Sequence, residues 1–196
     1  IPVLAKMELE GIKVDLKYFE TYKIELQEKI KKLEEEIYLL AGEKFNIGSP
    51  KQLAEILFEK LEIEPVKKTK TGYSTDVEVL EALALREISI AEKLLEYRSY
   101  AKLLSTYVEP LPKLVDENSR IHTTFNQNGT STGRLSSTNP NLQNIPSKTE
   151  EGMKIRKGFV SKEGYSFISF DYSKIELRVL AELSKDENLV HAYSKD

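Results

Sequence analysis

Between Asp15 and Gly42 the apolar residues Phe19, Tyr22, Leu26, Ile30, Leu33, Ile37 and Leu40 recur in steps of three and four, with Lys and Glu filling the gaps. That spacing predicts one long amphipathic helix, capped by Asp15 and stopped by Gly42 in the left-handed conformation. A second helix is predicted in "SPKQLAEILFEKL", where Ser49 caps, Pro50 takes the first helical position and Gln52 reaches back to close a capping box. After the basic stretch "VKKTKTG", a third opens in "STDVEVLEALALRE" with Thr75 and Glu78 as the capping pair. A fourth runs from Ser89 through Leu94, Leu104 and Val108 until Pro110 and Pro112 stop it. Up to about Leu114 the chain therefore reads as an elongated helical region. Its longest helices are expected to pair antiparallel, joined at the tip by a loop of Lys and Thr.

The pattern then changes. Arg120 to Asn126 suits a short strand, and the stretch that follows is rich in Gly, Ser, Thr, Asn, Gln and Pro, with Leu135, Leu142 and Ile145 as its apolar anchors. A polar loop of this length is either functional or disordered, and the anchors argue that it is pinned down. From Met153 onward the sequence predicts strand, turn at Glu163 and Gly164, and a second strand through Phe167, Ile168 and Phe170. A final helix then turns Ile175, Val179 and Leu183 inward. The expected fold class is α+β.

Composition narrows the chemistry more than the fold. The chain has no Cys and two His, His122 and His191, which excludes disulfides, thiolate catalysis and His-rich or Cys-based metal sites, so any metal is held by oxygen. No run of about 18 apolar residues and no secretory leader pattern occurs, and a cytoplasmic location is expected. The net charge of -3 gives no global attraction for nucleic acid. Positive charge is nonetheless concentrated locally at Lys67, Lys68 and Lys70, and again at Lys148, Lys154, Arg156, Lys157 and Lys162. Such runs also suit plain solvated surface. The "GSPKQ" turn has free helical N–H groups and Lys51 beside it, an arrangement that suits a phosphate as well as a cap touching nothing. Amides and hydroxyls at the density of the polar loop suit hydrogen bonding to sugars, phosphates and base edges.

The most informative position is Asp171, a carboxylate ending an apolar run just before a helix. By spacing alone it reads as a plain helix cap or as a carboxylate positioned at a sheet edge, and the spacing does not decide between them.

Three long motifs in the same order, "YRSYAKLLSTYVEPLP", "TGRLSSTNPNLQNIP" and "DYSKIELR", resemble DNA polymerase family A, the bacterial DNA polymerase I class, and the resemblance extends from "IPVLAKMELEGIKVD" onward. It implies that residues 1–20 start the polymerase domain against the palm, 21–115 form a helical thumb of long antiparallel helices, and 116–196 form the first part of the palm. Asp171 matches the metal-binding catalytic aspartate, with the backbone carbonyl of Tyr172 as a further Mg²⁺ contact. Ser173, Lys174, Ile175 and Glu176 match nucleotide-binding positions, Glu176 being the bulky acid that disfavours a 2′-hydroxyl. Positions implied to touch DNA are Ser49, Lys51, Lys70, Thr71, Lys102, Ser105, Thr106, Tyr107, Asn126, Thr132, Arg134, Asn141, Gln143 and Asn144. Where Lys174 stands, the family usually has Gln.

The resemblance also implies a two-ion Mg²⁺ site, with deoxynucleoside triphosphate and primer-template DNA as partners and a place in the bacterial cytosol or nucleoid. Only one ligating motif occurs up to Asp196, because the fingers motif and the palm motif with the second aspartate are missing, and Glu182, Asp186 and Asp196 are poor substitutes. The chain is thus expected to need the rest of the polymerase, in cis or in trans, and to be inactive alone. The alternatives are a non-catalytic DNA-binding half of a split polymerase and a helical protein-interaction module.

Overall fold

The computed structural model describes residues 1–69 and 72–194. The chain divides into two compact units, Ile1–Ser161 and Lys162–Asp196. The first begins with α1 (Pro2–Glu10), β1 (Ile12–Val14), α2 (Leu16–Ala41) and α3 (Pro50–Ala54), whose end widens into a π-helical segment at Glu55–Lys60. It continues with β2 (Lys68–Thr69), β3 (Gly72–Tyr73), α4 (Val77–Ala84) and α5 (Ser89–Leu103), the last running into a second π-helical segment at Leu104–Val108. It closes with β4 (Arg120–Ile121), β5 (Thr124–Asn126), β6 (Ser136–Thr138), α6 (Glu150–Lys157) and β7 (Phe159–Val160). The second unit holds α7 (Ile175–Ser184) and α8 (Glu187–Tyr193). The fold is α+β, as expected.

The long helix forms where the periodicity puts it. Asp15 accepts the Tyr18 N–H at 2.9 Å, and Gly42 takes the left-handed conformation at φ 75° to end it. Phe19, Tyr22, Leu26, Leu33 and Ile37 are buried along one stripe. At the carboxyl end the inward place falls to Ala41, while Leu40 is 41% exposed. This one stripe serves two cores. Ile37 and Ala41 pack with Leu53, Leu57, Leu80, Leu83 and Leu94 in the first, and Phe19, Tyr22 and Leu26 pack with Leu103, Val108, Ile121, Ile145 and Ile155 in the second. Three contacts show that α5 runs antiparallel to α2. The Lys29 ammonium lies 5.2 Å from the Tyr100 ring centre, the Tyr97 hydroxyl donates to Glu34 at 3.3 Å, and Lys93 pairs with Glu36 at 2.7 Å.

The caps differ in detail from expectation. Ser49 does cap α3, accepting the Gln52 N–H at 3.4 Å, but the Gln52 side chain accepts from the Asn46 N–H at 2.7 Å instead of closing the box onto Ser49. The Ser49 N–H is already donated to the Asn46 carbonyl within the turn. At α4 the cap is Asp76, not Thr75. A carboxylate one residue nearer the helix takes the Val79 N–H at 3.0 Å, and Glu78 pairs with Lys67.

The first unit's larger sheet has the order β4-β1-β7, antiparallel throughout, with Ile12 opposite Ile121 and Lys13 opposite Val160. The strand expected over Arg120–Asn126 is two strands with different partners. It breaks at His122 and Thr123, after which β5 pairs with β6. Met153 to Lys157 is helical, not extended. Thr149 caps α6, Glu150 and Glu151 sit in its first turn, and Lys154, Arg156 and Lys157 sit in its last, all of which favour the helix dipole. At its end Gly158 leaves room for Phe19, since a Cβ there would lie 2.2 Å from the ring.

In the second unit the turn at Gly164 is present, with φ 78°, but no strand precedes Asp171. Phe167, Ile168 and Phe170 are 62%, 76% and 92% exposed. A run of β-formers makes a strand only beside a hydrogen-bonding neighbour and under a covering layer, and the described residues provide neither. For the same reason Ile175, Val179 and Leu183 of α7 remain exposed, and Ala181 is its buried residue.

Helix α1 has no buried residue and is held by polar contacts. Arg120 Nε donates to the Glu10 carbonyl at 2.6 Å, the Phe125 N–H donates to Glu8 at 2.6 Å, and His122 lies with Nδ1 2.7 Å from the Glu8 carbonyl and Nε2 3.1 Å from Asp116. Two acceptors on one ring, the Glu8 carbonyl first and the Asp116 carboxylate second, raise the His122 pKa above its ordinary 6.5. The stabilisation is fully present below about pH 6.5 and is lost as pH rises through the raised folded value. In urea titrations across that window, stability is expected to fall with rising pH, and His122→Gln is expected to flatten the fall.

Candidate functional site

The joint before α7 is built from the backbone outward. Lys174 adopts the left-handed conformation at φ 52° and ψ 37°, turning the chain into the helix without a side-chain cap. Arg178 leans back over this turn, as helical side chains do. Its Nε donates to the Ser173 carbonyl at 3.0 Å and its Nη1 donates to the Tyr193 carbonyl at the end of α8 at 3.1 Å. The Tyr193 ring lies under both cations, 5.9 Å from the Lys174 ammonium and 5.5 Å from the Arg178 guanidinium carbon.

Asp171 is exposed, and its carboxylate takes no hydrogen bond or ion pair from any described residue. It is therefore not the cap of α7. Glu176 is exposed in the first turn of α7. Glu182 is paired with Lys185, and Asp186 is occupied capping α8 through the Leu189 N–H at 2.9 Å. Among the described residues no group of three or more His, Asp or Glu stands ready to hold a metal. The donors at the joint are one free carboxylate and neighbouring backbone carbonyls. This all-oxygen set suits Mg²⁺, which takes one or two carboxylates and completes its shell with water and phosphate oxygens.

The first unit brings two groups of predicted residues together. Lys102, Ser105 and Thr106 are exposed on the last turn of α5 and the π-helical segment after it. Tyr107 differs from them, because its ring is buried and its hydroxyl donates to the Asn144 carbonyl at 2.6 Å. That bond fastens the ledge to the turn in which Asn141 Oδ1 accepts the N–H groups of Gln143 and Asn144 at 3.0 and 3.2 Å. Asn126 donates to Thr138 at 3.1 Å across the β5–β6 pair. Thr132 and Arg134 are exposed in the loop joining those strands, where the Thr130 hydroxyl donates to the Arg134 carbonyl at 2.7 Å. Ser49 and Lys51 stand at the start of α3, and Lys70 and Thr71 lie outside the described residues.

Sequence reading missed what holds the polar loop. Thr123 and Ser137 are buried with their hydroxyls 2.6 Å apart; Ser137 accepts the Leu142 N–H at 3.1 Å, and Thr123 donates to the Pro140 carbonyl at 2.8 Å. Arg156 Nη2 and Nε donate to the carbonyls of Ile145 and Pro146 at 2.9 and 3.0 Å. Lys154 is likewise occupied internally, meeting Glu151 and Glu25 in a cluster where Tyr22 donates to Glu151 at 2.6 Å. Burial opposes the charged form of Glu151, but hydrogen bonds from Tyr22, Lys29 and Lys154 outweigh it and hold the carboxyl below its ordinary value. Two of the cations read as surface charge are thus structural. Lys154 has Glu151 three residues before it, but its bond to Glu25 spans 129 positions and those of Arg156 reach back ten and eleven positions to the loop, so no local pattern marks the full role of either.

The model of DNA polymerase family A matches residues 16–196. The chain belongs to DNA polymerase family A. It is 54% identical to the DNA polymerase I of Caldicellulosiruptor bescii over 197 residues, covering 100% of this chain and 23% of that protein. It is also 54% identical to the DNA polymerase I of Bacillus subtilis over 196 residues, covering 99% and 22%. Among solved structures, the POL domain of Pol1 from M. smegmatis, in complex with DNA primer-template and dNTP, aligns with a TM-score of 0.88 at 45% identity. That alignment covers 98% of this chain and 34% of that one. The chain thus spans under a quarter of the length of the two DNA polymerase I relatives. Within it, α1 and β1 lie outside the family match, although β1 pairs with both β4 and β7.

The buried hydroxyl pair yields a direct expectation. Ser137→Ala leaves the Leu142 N–H and one Thr123 bond without a partner, so it should cost about 1–3 kcal/mol in denaturant titration. It should also speed amide exchange at Leu142, whereas unchanged exchange there shows that the loop is held by its apolar anchors alone.

Proposed function

We propose that this chain is the thumb and first part of the palm of a DNA-directed DNA polymerase that acts with Mg²⁺ on primer-template DNA and deoxynucleoside triphosphates. Residues 1–20 start the polymerase domain, 21–115 form the thumb and 116–196 the beginning of the palm. The observation that carries this reading is the exposed, uncommitted carboxylate of Asp171 at a strained turn, in a chain of family A. The primed state of that carboxylate is what a helix cap lacks and a cation ligand needs.

In this reading Asp171 and the Tyr172 carbonyl hold the cation, while Ser173, Lys174 and Ile175 flank the incoming nucleotide. Mg²⁺, when bound, favours attack by the primer 3′-hydroxyl and steadies the departing pyrophosphate. Glu176 crowds the sugar position and disfavours a 2′-hydroxyl. Lys102, Ser105, Thr106, Ser49, Lys51, Lys70 and Thr71 meet backbone phosphates, and Asn126, Thr132, Arg134, Asn141, Gln143 and Asn144 follow the minor groove. Acceptors in that groove are shared among base pairs, so such contacts test pairing geometry and not sequence. Tyr107 holds the ledge to the loop. The remainder of the polymerase, in cis or in trans, supplies the second carboxylate and covers Phe167, Ile168 and Phe170, whose exposure supports that completion.

Two substitutions in a full-length polymerase carrying this chain separate the roles. Asp171→Asn should lower primer extension by more than about 100-fold, since losing even an outer partner of a metal ligand costs about 10–100-fold, and should leave primer-template affinity unchanged. Lys102→Ala should weaken DNA binding and reduce the slope of log affinity against log salt by about 1. Full extension by Asp171→Asn overturns the assignment.

A further inference from the structure

We propose that Arg178, steadied by Tyr193, is a positioning residue that sets the Tyr172–Ser173 backbone, and with it the Asp171 carboxylate, for the divalent cation. The inference rests on the metal-binding reading of Asp171 given above. The Ser173 carbonyl lies outside the helical ladder, since the first carbonyl of α7 to accept from that helix is that of Lys174, 3.1 Å from the Arg178 N–H. Without Arg178 this carbonyl loses the bond at 3.0 Å, and the peptide that carries it gains freedom to rotate.

The guanidinium joins this carbonyl, at 3.0 Å, to the Tyr193 carbonyl, at 3.1 Å, in one planar fork. A lysine has a single nitrogen and cannot reproduce that bridge. Packing of α7 on α8 needs only the Tyr193 contact; the additional bond to Ser173 is the feature directed at the turn. Lys174 adds to the same device. Its left-handed backbone reverses the chain directly after Ser173, and its ammonium over the Tyr193 ring keeps the cation on α8 and engaged there. The departure from the family's usual Gln is then part of the clamp. Fixing the peptides on both sides of Ser173 restricts the adjoining Tyr172 carbonyl and the carboxylate one residue before it.

The test uses full-length polymerase carrying this chain, bound to primer-template, with Mn²⁺ as the probe and free Mn²⁺ read by electron paramagnetic resonance. Arg178→Lys is expected to weaken Mn²⁺ binding by about 10–100-fold without changing primer-template affinity. Tyr193→Leu should shift Mn²⁺ binding in the same direction by less, and Tyr193→Phe, which keeps the ring, should restore wild-type binding. A purely structural Arg178 lowers the melting temperature of Arg178→Lys and Tyr193→Leu but leaves Mn²⁺ affinity at the wild-type value, and that result overturns the proposal. Asp171→Asn separates the two levels of inference. Wild-type Mn²⁺ affinity in that variant overturns the metal-binding reading and this inference with it, whereas lost affinity there combined with wild-type affinity in Arg178→Lys overturns this inference alone.

Discussion

One apolar stripe on a helix of 26 residues has to satisfy two cores at once. At a rise of about 1.5 Å per residue α2 is roughly 39 Å long, too long for a single small core to cover. The solution is α5 laid antiparallel along it, with Leu94 in one core and Leu103 in the other. The exposed ledge at the end of α5 follows from that pairing. The end of α5 presents Lys102, Ser105 and Thr106 because the opposite face, with Leu103, Tyr107 and Val108, is committed to α2 and its sheet.

The same pairing decides which charges remain available. Where α6 meets α2, Glu151 is shared by Tyr22, Lys29 and Lys154. A partly buried carboxylate needs those partners, because removing one leaves an uncompensated charge. Burial followed by the Glu151 bond pushes the Tyr22 phenol far above its ordinary range, so Tyr22 stays a donor to Glu151 under ordinary conditions. Arg156 is equally committed, to the loop carbonyls. In a chain of net charge -3, the proposed DNA contacts therefore fall to cations left exposed, such as Lys102, and to neutral amides and hydroxyls such as Ser105 and Thr106.

Local chemistry was legible in the sequence wherever one element decides its own ends. Asp15, Gly42 and Ser49 cap as read, because their partners lie within a few residues. Thr75 lost to Asp76 since both are adequate caps and the carboxylate is nearer. The failures share a different cause. Met153 to Lys157 contains β-compatible residues, but Thr149, Glu150 and Glu151 upstream start a helix that Ile155 then buries. The Arg120–Asn126 run holds two short strands that serve different neighbours, which no window on that run reveals. Phe167 to Phe170 is a run of β-formers and lacks the neighbour that makes a strand. The Thr123–Ser137 pair, separated by fourteen positions, leaves no periodic trace. The motif around Asp171 was readable as a family signature, which the family match over residues 16–196 bears out, and its local conformation was not.

At the joint, the exposed Asp171 carboxylate is the group that the proposed reading gives to a cation, and the proposed clamp of Arg178 and Tyr193 matters only if that reading holds. The most direct measurement is a structure of the full-length polymerase carrying this chain, determined with primer-template, a non-reactive deoxynucleoside triphosphate and Mg²⁺. The expected result is an Asp171 oxygen and the Tyr172 carbonyl at about 2.0–2.1 Å from the ion, with Arg178 still on the Ser173 carbonyl. An Asp171 carboxylate folded onto the first N–H groups of α7, with the ion coordinated without it, contradicts the reading.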